Sequence, residues 1–274
     1  QVMLMADEHT VAASDSGKGW VWLDLDDTLY DFAANSEESL REMYATCGLD
    51  RYWPCQDAWL DHYHRINAEL WNLYSRGQCT RDHLRHERFY RPLTEAGCPE
   101  TDAHEMAVRF DPLYLGMLGV RGRTVDGAIE LLERLRGHYY IGVLSNGFRE
   151  VQYAKMKSAG IEPYVDCVVL SDELDVNKPD PRIFRYAEQK ADTEAHSCLL
   201  VGDNPDTDIA GALRAGWDAV WLNPASGAAE ETLEALGLKA TAGAEVCRVD
   251  SLGQICAADG RKFGKIGLNI KKSR

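Results

Sequence analysis

No apolar run in these 274 residues approaches the length needed to cross a bilayer. The apolar stretch inside QVMLMADEHTVAASDSGKG is also too short for the core of a secretory signal, so residues 1–19 are expected to form a disordered leader. Paired cysteine spacing is missing too. Cys47, Cys55, Cys79, Cys98, Cys167, Cys198, Cys247 and Cys256 contain no C-x-x-C, which excludes a zinc ribbon or a thioredoxin-like motif. They are too scattered for a disulfide framework and are expected to be reduced thiols in a cytoplasmic protein. Positive charge is scarce: 30 Lys and Arg stand against 44 Asp and Glu, a net charge of -14. That argues against a partner that is a nucleic-acid polymer, and no membrane partner is expected. A small anionic ligand stays open, because a bound metal ion can reverse the local field. Repeats and low-complexity segments are absent. Only GRKFGKIGLNIKKSR is locally basic, with six Lys and Arg and no acid, and residues 256–274 are expected to be a solvated basic tail.

The remaining composition, 45% hydrophobic and 27% charged, is that of a globular protein with ample core. Residues 20–25 read as a short buried strand. From 32 to 118 the periodicity is helical: CQDAWLDHYHRINAELWNLY places Trp59, Tyr63, Ile66, Leu70 and Leu73 on one face, and Thr80 is placed to cap TRDHLRHERFYRPL. Beyond Thr124, strand and helix alternate. The strands are YYIGVLS, YVDCVVLS, HSCLLVGD, WDAVWLN and AEVCRVDS; the helices are VDGAIELLERLRG, REVQYAKMKSAG, PDPRIFRYAEQKA, DTDIAGALRAG and AAEETLEALG. Continuous apolar strands alternating with helices predict a doubly wound, Rossmann-like α/β parallel sheet. The expected organisation is a core of residues 20–31 and 119–255 carrying an all-helical insertion over 32–118.

Ligands of such sheets bind beyond the carboxyl ends of the strands. There, VWLDLDDTLYD puts four aspartates in eleven residues right after the first strand. Ser145 and Asn146 end the second strand, Lys178 follows the third, and Asp203 and Asp208 follow the fourth. Acids crowded at one sheet edge need a cation among them. Mg²⁺ fits, since it takes oxygen ligands and is bound through one or two carboxylates together with substrate phosphate. Asp24 and Asp203 are its candidate ligands, Lys178 adds a fixed charge, and Ser145 adds a hydroxyl beside backbone N–H groups. This set reads as a phosphate site rather than a carbohydrate-cleaving carboxylate pair. Asp27 and Asp31 read as turn or solvent-facing acids, and Asp206 as a helix N-terminal acid. His83 and His86 have no third ligand within reach in sequence.

DLDDTL, LSNG, Lys178 and GDNPDTD, in this order and at strand ends, resemble the haloacid dehalogenase superfamily of aspartate-dependent phosphohydrolases. The resemblance extends over roughly residues 20–250. It implies that Asp24 attacks phosphorus to give an aspartyl-phosphate, and that Asp26 protonates the leaving oxygen and later activates water. It implies that Ser145 and the backbone around Asn146 hold the phosphoryl oxygens and that Lys178 neutralises charge on nucleophile and phosphate. Asp24, Asp203 and the backbone carbonyl of Asp26 would hold Mg²⁺, with Asp208 orienting Asp203 or Lys178.

Within that fold a Mg²⁺-dependent phosphatase is the first expectation. The dehalogenase branch lacks the acid at the position of Asp26 and needs no metal. A phosphomutase and a non-catalytic binding protein remain as alternatives. ELWNLYSRGQCTRDHLRHERF together with SNGF resembles the pyrimidine 5′-nucleotidase subgroup, while related insertions serve sugar phosphates and phosphoglycolate. The expected partner is therefore a small phosphorylated metabolite, a nucleotide before a sugar phosphate, taken by a monomer or homodimer. Trp71, Tyr74 and Phe148 are the aromatic candidates to stack on a base.

Overall fold

The computed structural model describes residues 17–223 and 243–271. In chain order the strands are β1 (Trp20–Leu23), β2 (Tyr140–Ser145), β3 (Cys167–Leu170), β4 (Cys198–Gly202), β5 (Asp218–Leu222), β6 (Val246–Val249), β7 (Arg261–Phe263) and β8 (Leu268–Ile270). The helices are α1 (Phe32–Thr46), α2 (Gln56–Ser75), α3 (Arg81–Glu95), α4 (Glu100–Val120), α5 (Ala128–Leu135), α6 (Arg149–Ser158), α7 (Pro181–Lys190) and α8 (Ala210–Ala215). The helix expected over AAEETLEALG and most of the expected leader lie outside the described residues. No helix among the described residues is long and apolar enough to cross a membrane.

The first six strands form one parallel sheet in the order β3-β2-β1-β4-β5-β6. β1 is central, with Leu23 level with Val143 of β2 on one side and Val201 of β4 on the other. Every residue of β1, β4 and β5 is buried, which is why these strands read as unbroken apolar runs instead of alternating ones. One face packs Trp20, Trp22, Leu200 and Trp221 with Ile183, Phe184 and Ala187 of α7 and Ala212 and Leu213 of α8. Two sequence cues start α7: Pro181 needs no N–H partner, and the Asp180 carboxylate accepts the Arg182 N–H at 2.9 Å.

Trp22 stacks on Trp20 with ring centroids 5.3 Å apart and approaches Trp217 at 5.8 Å. Gly142, on the neighbouring strand, makes room for it. A Cβ at that position would lie 2.2 Å from the Trp22 ring. Gly142→Val is therefore expected to destabilise the protein by about 1–3 kcal/mol through overpacking. Urea denaturation followed by tryptophan fluorescence checks this, and an unchanged midpoint would mean that the strands can slide apart at no cost.

The described residues divide into two compact units. One holds the sheet and is drawn from the chain up to Asp31, from Thr124–Gln152 and from Ala159 onward. The other is helical and comprises Phe32–Arg123 with Tyr153–Ser158, so it runs beyond the insertion expected at 32–118 and includes the end of α6. Its core gathers Trp59, Tyr63, Phe89 and Tyr114, and the Arg88 guanidinium is buried against Asp111. Thr80 caps α3 by accepting the His83 N–H at 3.2 Å. Trp71 and Tyr74 meet edge to face, 5.6 Å apart, and Phe148 of the sheet unit is buried.

The expected basic tail is corrected. Residues 261–270 form an antiparallel hairpin, β7 with β8, turned through Gly264 and Gly267, both at positive φ. Charge count hid the alternation of Leu268 and Ile270, both buried, with the half-buried Asn269. The hairpin is also tethered. Buried Asp218 accepts the Lys265 N–H at 2.6 Å, and Lys265 Nζ donates to the Gly216 carbonyl at 3.0 Å. All eight cysteines are free thiols.

Candidate active site

Asp24 directly follows β1, where its N–H donates to the Val201 carbonyl at 2.9 Å and locks the chain against the end of β4. The next residues turn at once. Leu29 and Tyr30 donate back to the Leu25 carbonyl, and Asp27 sits at φ 56. An aspartate tolerates that left-handed conformation better than most residues, in keeping with the turn role expected for it.

Lys178 is 1% exposed and reaches the end of β1 from the loop after β3. Its Nζ lies 2.7 Å from Asp24 Oδ1, 2.7 Å from Asp208 Oδ1 and 2.7 Å from the Leu144 carbonyl. Three acceptors use the three N–H donors of the ammonium. Burial alone would lower its pKa, but the Asp208 and Asp24 carboxylates overturn that and hold it above its ordinary value, so the lysine is a fixed cation. Asp208 is fully buried, and its other oxygen accepts the Asn204 N–H at 3.1 Å. Gly202 leaves it room: a Cβ there would lie 2.4 Å from Asp208 Oδ2. Asn204 in turn accepts the N–H groups of Asp206 and Thr207, starting the wide helical turn that leads into α8.

Asp203 completes the acidic group. The Thr28 hydroxyl donates to its Oδ1 at 3.3 Å, and the Trp221 indole donates to its carbonyl at 2.9 Å. Carboxylate oxygens of Asp24, Asp203 and Asp208 lie within 4.8 Å of one another. Burial pushes the Asp24 carboxyl well above the usual carboxylate range; Lys178 opposes this, while Asp208 and Asp203 add to it. Burial likewise raises Asp203, to about 7, assisted by Asp208 and Asp27.

Three carboxylates thus face one ammonium in a buried setting, an imbalance that a divalent cation would relieve. Asp208 is occupied by Lys178 and the Asn204 N–H, which leaves Asp24 and Asp203 as the acids suited to hold one. An all-oxygen set fits Mg²⁺ and not zinc. Elsewhere, His86 Nε2 pairs with His104 Nδ1 at 2.9 Å and His86 Nδ1 with Glu87. The Asp24, Asp203 and Asp208 group is the acid, histidine or cysteine cluster with metal-holding geometry among the described residues.

Ser145 ends β2 and is buried. Asn146 uses its side chain on the Lys178 backbone in both directions, donating to its carbonyl at 3.0 Å and accepting its N–H at 2.7 Å. Its amide therefore positions the lysine loop. Gln152, which carries no motif, bonds to both Asp26 and Ser145. Sequence reasoning missed it because a glutamine in REVQYAKMK reads as a solvent-facing helix residue. Thr28 lay inside the quoted DLDDTL, yet only the structure gives it a partner.

A family model for haloacid dehalogenase-like hydrolases matches residues 20–216. The chain is 30% identical over 208 residues to the pyrimidine 5′-nucleotidase YjjG of Escherichia coli (strain K12), covering 74% of this chain and 85% of that protein. It is 30% identical over 203 residues to the pyrimidine 5′-nucleotidase PynA of Streptococcus pneumoniae, covering 73% and 82%. The crystal structure of the HAD-hydrolase YfnB from Bacillus subtilis bound to magnesium superposes with a TM-score of 0.68 at 26% identity, covering 80% of this chain and 99% of that one.

Proposed function

From the premise that this chain belongs to the haloacid dehalogenase-like hydrolase family, we propose that it is a Mg²⁺-dependent phosphatase acting through an aspartyl-phosphate on Asp24. The observation that carries the reading is the buried Asp24–Lys178–Asp208 chain with Asp203 beside it at the end of the central strand. An Asp24 oxygen attacks phosphorus as the bond to the leaving oxygen breaks. Asp26 gives that oxygen a proton. In the second step Asp26 takes a proton from water, the water oxygen bonds to phosphorus, and the Asp24–phosphate bond breaks to free inorganic phosphate. Ser145 and the Asn146 backbone hold the phosphoryl oxygens, and Lys178 keeps a positive charge against Asp24 throughout. Asp24, Asp203 and the Asp26 carbonyl would hold Mg²⁺, which supplies charge neutralisation on the phosphoryl group when bound.

The test is hydrolysis of p-nitrophenyl phosphate with Mg²⁺ and with excess EDTA. Activity is expected only with the metal, and Asp203→Ala is expected to raise the apparent Kd for Mg²⁺ by about 10-fold or more. Full activity in EDTA would count decisively against the metal site.

The 30% identity to two pyrimidine 5′-nucleotidases supports a finer reading: nucleoside 5′-monophosphates, pyrimidine ones first. Comparison of kcat/KM for dUMP, dTMP and UMP with purine monophosphates, phosphoglycolate and hexose phosphates checks it. If a sugar phosphate or phosphoglycolate exceeds every nucleotide by about 10-fold, a margin of ~1.4 kcal/mol, the nucleotidase reading falls and the phosphatase reading stands.

A further inference from the structure

Gln152 is the fourth residue of α6 and is 1% exposed. Its Nε2 lies 2.8 Å from Ser145 Oγ and 3.1 Å from Asp26 Oδ2. The orientation of the amide is dictated by chemistry, since a carboxylate only accepts and the amide oxygen turned that way would repel it. The two N–H groups of one nitrogen are therefore divided between two elements that are far apart in sequence, the turn after β1 and the end of β2.

We propose that Gln152 is a positioning residue that aligns Asp26 and Ser145 for the phosphatase reaction; the inference rests on the functional reading above. A serine hydroxyl that accepts the Gln152 N–H directs its own proton away from the amide, and a phosphoryl oxygen held by Ser145 is the acceptor that this orientation serves. Asp26 is only partly buried, so water competes for it, and its carboxyl must serve twice, once giving a proton and once taking one. A bond from Gln152 to Oδ2 fixes the carboxyl plane and turns Oδ1 away from the amide for both steps. Misplacement of a reacting group by about 1 Å can cost on the order of 10²-fold in rate, so one buried donor has that much leverage.

Gly147 carries the same inference from the other side. A Cβ at Gly147 would lie 2.3 Å from both Cδ and Nε2 of Gln152. The loop between β2 and α6 thus lacks a side chain at the place where the amide passes. Its φ is not positive, so the need is for space and not for backbone freedom.

The experiment uses the full chain with Mg²⁺ and p-nitrophenyl phosphate. Gln152→Met keeps the length of the side chain and removes both donors. Expected are a fall in kcat of about 10–10²-fold and a raised steady-state level of acid-quenched phosphoenzyme, because water activation depends on Asp26. In single-turnover measurements on an Asp26→Asn, Ser145→Ala background the same substitution should cost less than about 3-fold, since both groups it aligns are gone. Gly147→Ala should reproduce the loss and should not add to Gln152→Met. If Gln152→Met does not fold, Gly147→Ala alone decides. A kcat within about 3-fold of wild type for either variant overturns the inference while leaving the phosphatase reading intact. An equal loss on the doubly substituted background overturns it too, by showing general loosening of the site. A wild-type protein that hydrolyses no phosphate monoester overturns the functional reading and this inference together.

Discussion

Asp24→Asn is expected to remove turnover, by on the order of 10⁴–10⁶-fold, while the protein stays folded. The amide keeps the shape of the carboxylate but cannot attack phosphorus. Its neighbours make the effect specific to chemistry. Burial, with Asp208 and Asp203 close by, outweighs the Lys178 ammonium and disfavours charge on Asp24, and an asparagine oxygen can still accept the Lys178 N–H, so a neutral isostere relieves repulsion without orphaning the lysine, which keeps Asp208. Thermal unfolding without metal should therefore show an unchanged or higher Tm beside the lost rate. Retention of about a tenth of wild-type kcat, with deamidation back to aspartate excluded by mass spectrometry, would sink the assignment of Asp24 as nucleophile.

Lys178→Met is expected to damage both rate and stability. The ammonium bonds to Asp24, Asp208 and the Leu144 carbonyl, each at 2.7 Å, and is almost wholly buried. Methionine fills similar volume but leaves two buried carboxylates without their cation. Breaking a buried pair in this way costs about 3–5 kcal/mol. Loss of one preorganised charge at the phosphoryl group should lower kcat by at least about 10²–10³-fold. Urea denaturation and steady-state kinetics measure the two effects separately. A variant of wild-type stability would show that Lys178 is not the counter-charge for both acids, and near-normal kcat would show that its charge is idle in the reaction.

The contrast between the two variants follows from geometry that sequence order alone does not contain. Lys178 and Asp24 are 154 residues apart along the chain, and Gln152 and Asp26 are 126 apart. Sequence placed Asp24, Ser145, Lys178 and Asp203 after successive apolar runs, and a parallel sheet carries the ends of such runs to one edge. Nothing more than strand periodicity and residue type was required for that inference. The α/β fold, the helical insertion and the helix start at Thr80 were legible for the same reason, since burial pattern and capping are local properties.

Tertiary structure alone decided which donor meets which acceptor. It set β1 between β2 and β4, and so brought Lys178 between Asp24 and Asp208. It turned the Asn146 amide onto the Lys178 backbone and drew Gln152 out of an ordinary helical pattern to join Asp26 with Ser145. It also folded GRKFGKIGLNI, read from its charge as a tail, into a hairpin held by Asp218. Composition and period report what a residue prefers to bury. A hydrogen bond needs its two partners within about 3 Å in the right direction, and only the long-range register of the folded chain supplies that.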